Sequence, residues 1–179
     1  MIRFSLLRGD YVYLDRFKVK DVPTITNWYR EEEFTRNMDA LLALPKREKD
    51  IQKMVELESE KDYLFAVRKN ETDEIVGIVG LDGILWNHRT AWVSIGIGSN
   101  NRQKGIGKEA LRLAMDLAFQ EFNLYRLQLT VFEYNTRAIA LYESLGFQKE
   151  GTYRSFLERD NLRYDMLLYG ILRDEYFTQ

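Results

Sequence analysis

Ala91–Phe122, AWVSIGIGSNNRQKGIGKEALRLAMDLAFQEF, is the stretch from which the rest of the chain can be read. Ala91 to Gly98 carries no charge and is β-branched at Val93, Ile95 and Ile97, the composition of a buried strand. Asn100, Asn101, Arg102 and Gln103 then break the apolar run, and Gly105 and Gly107 allow a sharp turn with room for a ligand to approach. A helix starting near Gly105 or Ile106 directs its first free N–H groups back into that turn, and such a helix start attracts anions, phosphate above all. Arg102, Lys104 and Lys108 add positive charge at the same place. The sequence therefore predicts a phosphate-holding turn between a buried strand and a helix.

Two familiar phosphate loops fit poorly. A Walker-type loop needs Ser or Thr after its lysine, whereas Lys108 is followed by Glu109. A dinucleotide fingerprint tolerates Ala110 at its third glycine position but needs an acid about 20 residues on, and Arg126 to Phe132 offers none.

At 179 residues the chain fits one domain, residues 1–179, with enough length for a proper core. The absence of cysteine excludes a disulfide framework, a thiolate metal site and a cysteine nucleophile together. His88 is the single histidine, which leaves little for a histidine metal site or a Ser-His-Asp triad, and no metal is expected. A net charge of −2 argues against a large nucleic-acid footprint. No apolar run approaches a membrane span, and the charged start, Met1 to Asp10, is unlike a signal peptide, so a cytoplasmic protein without a membrane partner is expected.

Outward from the opening stretch, Tyr11 to Phe17 reads as a first strand. Asp21 is placed to cap a helix with Pro23 in its first turn, running through Ile25, Trp28 and Tyr29. Glu31 to Glu33 reads either as a solvated acidic surface or as a rim that attracts cationic substrates. A second helix is expected from Glu48 to Glu60, then strands at Tyr63–Arg68 and Ile75–Leu81. The helix that follows the turn is apolar over most of its circumference, with charge left to Glu109, Arg112 and Asp116, so it is buried against a sheet. Tyr125–Phe132 alternates as a strand, Asn135 opens a helix that Gly146 closes, and Gln148–Leu157 and Leu162–Leu172 read as two final strands. The strand–helix–strand unit Ala91–Phe132 implies a parallel pair inside an otherwise antiparallel sheet. The expected class is α/β (α+β): a mixed, mostly antiparallel sheet of about seven strands with about four helices.

In order and spacing, RQKGIG (Arg102–Gly107), NTRAIALYESLGF (Asn135–Phe147) and RYDMLLYGILRDEY (Arg163–Tyr176) resemble the GNAT superfamily of acetyl-CoA-dependent N-acetyltransferases, joined by FNLYRLQLTV (Phe122–Val131). The last two are similar to the branch that acetylates ribosomal-protein N-termini and includes spermidine acetyltransferases. The resemblance covers most of the chain from Tyr11 on, weakly before Ile75. It implies acetyl-CoA as co-substrate, its pyrophosphate on the loop Arg102, Gln103, Lys104, Gly105, Ile106, Gly107 and Lys108. It implies the pantetheine arm beside Ser94 to Ile97, in a gap where Ile95 and Val131 splay apart, with a backbone N–H near Ser94 or Ile95 as oxyanion donor. Asn135, which by itself reads as an N-cap, would also bond that arm. Tyr142, by itself a core aromatic, lies seven residues on, rotated about 20° and roughly 10 Å along the helix. The resemblance makes it the acid that protonates the departing thiolate.

The base is left unassigned. Glu33, Asp39, Asp82 and Glu133 are the candidates, and His88 sits in an expected surface turn. The acceptor is a primary amine: a protein N-terminus, a polyamine, or a small amine such as an aminoglycoside or amino sugar. A CoA-binding sensor or scaffold without catalysis is the rival reading, and a homodimer or larger homo-oligomer is expected from the family.

Overall fold

A computed structural model describes residues 5–102 and 105–178. Seven strands form one sheet in the order β1-β2-β3-β4-β5-β7-β6. They are β1 (Val12–Asp15), β2 (Tyr63–Lys69), β3 (Ile75–Leu85), β4 (Thr90–Ile97), β5 (Arg126–Phe132), β6 (Gln148–Arg159) and β7 (Leu162–Leu172). The first four make an antiparallel meander, β4 and β5 run parallel, and β7 lies antiparallel between β5 and β6. The helices are α1 (Val22–Trp28), α2 (Glu32–Met38), α3 (Glu48–Val55), α4 (Ile106–Asp116), α5 (Thr136–Glu143) and α6 (Arg173–Phe177). Among the described residues no helix is long and apolar enough to cross a membrane.

The sheet is covered on both faces. On one, α4 buries Ala110, Leu111, Ala114 and Met115 against Val79, Leu81, Val93 and Leu129. On the other, α1 and α3 bury Val22, Ile25 and Ile51 against Ala66, Ile75 and Ile78. The central helix does not run unbroken to Phe122 as its pattern suggests. Leu117–Glu121 widens into a π turn, with the Phe122 N–H donating to the Leu117 carbonyl at 3.0 Å.

Four local expectations are corrected. The segment after α1 contains an extra helix, α2, which has no side-chain cap and is held by Phe34, buried against Trp28 and edge-on to Tyr29 at 5.1 Å. Helix α3 stops at Val55 rather than Glu60, because Ser59 folds the chain into a turn by accepting from the N–H groups of Lys61 and Asp62. Strand β3 passes Leu81 and continues to Leu85 across a bulge, which Gly83 accommodates at φ 56°. Asp82 thus lies within the strand rather than after it.

The fourth concerns Asp21, which precedes α1 as expected but makes no side-chain cap. Its carboxylate is buried in a two-pronged pair with Arg68, itself fully buried in β2, with Nη1 at 3.1 Å from Oδ1 and Nη2 on Oδ2. Arg68 also donates to the carbonyls of Arg16 and Asp73. This pair ties the entry of α1 to the sheet. Removing one partner of such a pair leaves a buried charge uncompensated, at a cost of about 3–5 kcal/mol. Asp21→Asn should lower unfolding free energy by that order in urea titration, and Asp21→Leu with Arg68→Met together should cost less than the sum of the two single changes.

Candidate active site

Parallel pairing of β4 and β5 lasts only from Thr90–Arg126 to Trp92–Gln128. Past that point the strands diverge, and Ser94, Ile95 and Ile97 on one side face Thr130 and Val131 on the other across a cavity of about 600 Å³. Helix α5 and the end of α2 complete its walls. The splay expected from Ile95 and Val131 is present.

At the far end of β4 the cavity reaches the glycine turn. Arg102, Gly105, Gly107 and Lys108 line it, whereas Gln103 and Lys104 lie outside the described residues. Gly105 takes φ 74° just ahead of α4, a conformation L side chains rarely adopt, and a methyl group built on it would meet nothing within 4 Å. A methyl on Gly107 would touch Ile97 at 3.5 Å. The turn is therefore open beside the start of an eleven-residue helix, and it is not filled by described side chains. Ile106 is buried in the core, which leaves only its backbone to face the turn. Arg102 donates through Nε to the Ile97 carbonyl at 3.1 Å, which holds its guanidinium over the cavity edge.

Asn135 caps α5, its Oδ1 accepting from the Ala138 N–H at 3.2 Å, and lines the cavity as well. Tyr142 lines the cavity from the third turn of α5 and is 7% exposed. Its ring packs edge-on against Phe147 at 5.9 Å. Burial pushes its hydroxyl up to about 12, so it is a protonated donor throughout the neutral range. Its bland reading as a core aromatic and its reading as a cavity acid therefore describe the same placement.

The four candidate bases separate cleanly. Asp82 lines the cavity near the point where the strands part, opposite Trp92 across the β3–β4 ladder. Ser94 Oγ donates to its Oδ2 at 2.8 Å. Burial raises the Asp82 carboxyl above its ordinary value, the Ser94 hydroxyl opposes that, and Asp62 adds to it. Asp39 also lines the cavity, with one oxygen accepting the Leu41 N–H at 2.8 Å. Glu33 lies instead on a neighbouring cavity of about 460 Å³ and pairs with Arg102. Glu133 is exposed, accepts the Asp165 N–H at 2.7 Å and lines neither cavity. His88 is exposed in the β3–β4 turn.

Several walls had no local signal. Met166 arrives because β7 pairs antiparallel with β5, setting it opposite Phe132. Phe156 comes from β6, and Phe34 and Met38 from the helix that the sequence pattern hides. Arg137 lines both cavities. Its place two residues after Asn135 was a signal, since it puts a cation in the first turn of α5.

A family model for the acetyltransferase (GNAT) domain matches residues 12–148. The uncharacterized N-acetyltransferase p20 of Bacillus licheniformis is 28% identical over 166 residues, 91% of this chain and 93% of that protein. A spermidine N(1)-acetyltransferase of Escherichia coli is 42% identical over 78 residues, 44% of this chain and 42% of that protein. In fold, the chain resembles a spermidine N-acetyltransferase from Vibrio cholerae solved with CoA and spermine. The TM-score is 0.81 at 23% identity, over 93% of this chain and 98% of that one. The match spans the splayed strands, the glycine turn and α5 together, and the chain belongs to the GNAT family of acetyltransferases.

Proposed function

We propose that this acetyltransferase moves the acetyl group of acetyl-CoA directly to a primary amine, with both substrates bound at once. The single observation that carries the reading is one continuous cavity with a cation-lined glycine turn at one end and Asp82 near the other, while Tyr142 faces it from the side. From Trp92 to Ile97 is five residues of strand, about 17 Å at 3.3 Å per residue. That length suits an extended arm laid between a phosphate seat and a reacting thioester.

Each step falls to a residue of this chain. The backbone amides of the turn from Arg102 to Lys108 hold the pyrophosphate at the start of α4. Backbone groups of β4 that lose their β5 partners past Trp92 pair with the pantetheine amides, and an N–H near Ser94 or Ile95 faces the thioester oxygen as charge builds there. Asp82, aligned by Ser94, takes a proton from the incoming ammonium directly or through one water. The neutral nitrogen attacks the carbonyl carbon, a C–N bond forms and the C–S bond breaks. Tyr142 gives its proton to the departing thiolate, and the acylated nitrogen passes its surplus proton through water to the phenolate. Asp82 later releases its own to solvent, which leaves a neutral amide and free CoA thiol. A free thiol has a pKa of about 8.5, so transfer from a hydroxyl near 12 occurs only as negative charge concentrates on the sulfur.

Aromatic and aliphatic walls at Trp92, Phe132, Phe156 and Met166, with Asp82 and Asp39 among them, suit a cationic head on an apolar body. The spermidine-acting relatives support a small aliphatic amine, and the sequence match to the Escherichia coli enzyme spans 78 residues. Release of free thiol from acetyl-CoA with a panel of polyamines, amino sugars and peptides is the direct test. Tight CoA binding with no thiol released would favour a binding module instead.

Three outcomes are expected. Tyr142→Phe should lower kcat by about 10²-fold or more while the KM for acetyl-CoA moves far less, and unchanged turnover would remove the acid role. Below the amine pKa, kcat/KM of a variant without the base rises with the free amine fraction, whereas in the wild type, which accepts the ammonium's proton, it follows the ionised fraction of Asp82. In the wild type the rise should therefore level off above the Asp82 pKa, which lies above the ordinary 3.8, because only a protonated carboxyl cannot accept the proton. Asp82→Asn should abolish that levelling and lower the rate at neutral pH. Gly105→Val should weaken CoA binding in calorimetry without unfolding the chain, since the side chain enters open space but forces a left-handed residue out of its conformation.

A further inference from the structure

Among the candidate bases, Glu33 is held by two arginines. It sits on α2, and a single oxygen, Oε1, lies 2.7 Å from Nη1 of Arg102 and 3.5 Å from Nη1 of Arg137. Those arginines come from distant parts of the chain, the end of the β4 turn and the first turn of α5. Two guanidiniums brought to one oxygen repel each other unless an anion lies between them. Both line the main cavity, whereas Glu33 lines only its neighbour, and Arg137 belongs to both walls. The carboxylate therefore reaches across the seam between the two cavities.

Arg102 belongs to the phosphate turn already described; we propose that Glu33, by bridging Arg102 and Arg137, occupies a phosphate position of that turn and yields it when the co-substrate binds. The assignment rests on the acetyl-CoA reading above. Arg102 is well placed to receive a phosphate, because its Nε is anchored on the Ile97 carbonyl, its side chain is 15% exposed, and its remaining N–H groups are free to exchange one anion for another. Glu33 and Arg137 are 61% and 54% exposed in their side chains, so their part of the contact is weak and readily displaced. A phosphate brings more charge than a carboxylate and three acceptor oxygens, and it can bridge both guanidiniums with charge-assisted bonds.

The exchange leaves the acceptor side in place. Helix α2 carries Phe34, Asn37 and Met38 into the main cavity wall, and Phe34 and Met38 press on Gly96 of β4 so closely that a methyl there would lie 2.6 Å from the Met38 sulfur. Glu33 links this wall to the glycine turn. Arrival of the phosphate breaks only this contact, while Phe34 and Met38 on Gly96, the Tyr134 hydroxyl on the Arg36 carbonyl and the Ser99 hydroxyl on Glu31 keep α2 and the acceptor wall in place.

The test is calorimetric titration of CoA, 3′-dephospho-CoA and inorganic pyrophosphate into the wild type, Glu33→Gln and Arg137→Gln. Glu33→Gln should bind CoA about 2- to 5-fold tighter, the range of a removed surface ion pair. Arg137→Gln should bind it about ten-fold weaker, the loss of a charge-assisted bond. If the Arg137 effect disappears with 3′-dephospho-CoA, the seat takes the 3′-phosphate. If it persists and extends to pyrophosphate, the seat takes the diphosphate, and either result supports the pair. Wild-type affinity for CoA in both variants would overturn it while leaving acetyl transfer standing, and failure of the wild type to bind CoA would overturn both readings.

Discussion

The site depends on a parallel ladder that stops. β4 and β5 pair through Trp92–Gln128 and then part, while each keeps its other neighbour, β3 or β7, to the end. A sheet interior normally leaves no backbone polar group unpaired, because an unpaired buried group is costly. Here the outer partners hold the two strands in place while the inner edges face a cavity. A substrate with its own amide groups in an extended arm can supply the missing partners. The rest of the molecule keeps the gap from closing: α4 packs under the sheet, and α1 and α3 pack over its first half.

Stability and chemistry are separated along β2, β3 and β4. The buried Arg68–Asp21 pair joins β2 to the entry of α1, and neither residue lines the cavity. Asp82, one strand over, is less completely buried and has a hydroxyl partner rather than a cation; burial raises its proton affinity, and the hydroxyl only partly offsets that. A carboxylate paired to a guanidinium is held ionised and is poor at taking up a proton. One with only a hydroxyl in a largely apolar wall is better suited to it. Asp82 and Glu33 also differ in place, the first lining the main cavity and the second its neighbour.

Much of the fold was legible because several signals agreed locally. β-branched runs marked Ala91–Ile97 and Leu127–Val131, glycines marked the turn before α4, and Asn135 and Gly146 bracketed α5. Helix α2 was hidden by its three glutamates, which look like surface wherever they fall. It exists because Phe34 packs on Trp28 and Tyr29, contacts that local propensity does not report. The capping role read for Asp21 was overruled in the same way, by an arginine 47 residues downstream.

By itself the sequence determined the order of the seven strands with α1, α3, α4 and α5 between them, the parallel pair, the turn with Gly105 at its bend, and the placement of Asn135 and Tyr142 on one helix face. These follow from periodicity, backbone conformation and helical spacing, which are properties of neighbours along the chain. Only the tertiary structure decided which carboxylate meets the cavity, where the strands separate, and which cations Glu33 bridges. Those depend on residues far apart in sequence sharing one space, and on burial that alters proton affinity, neither of which is written in any short stretch of the chain.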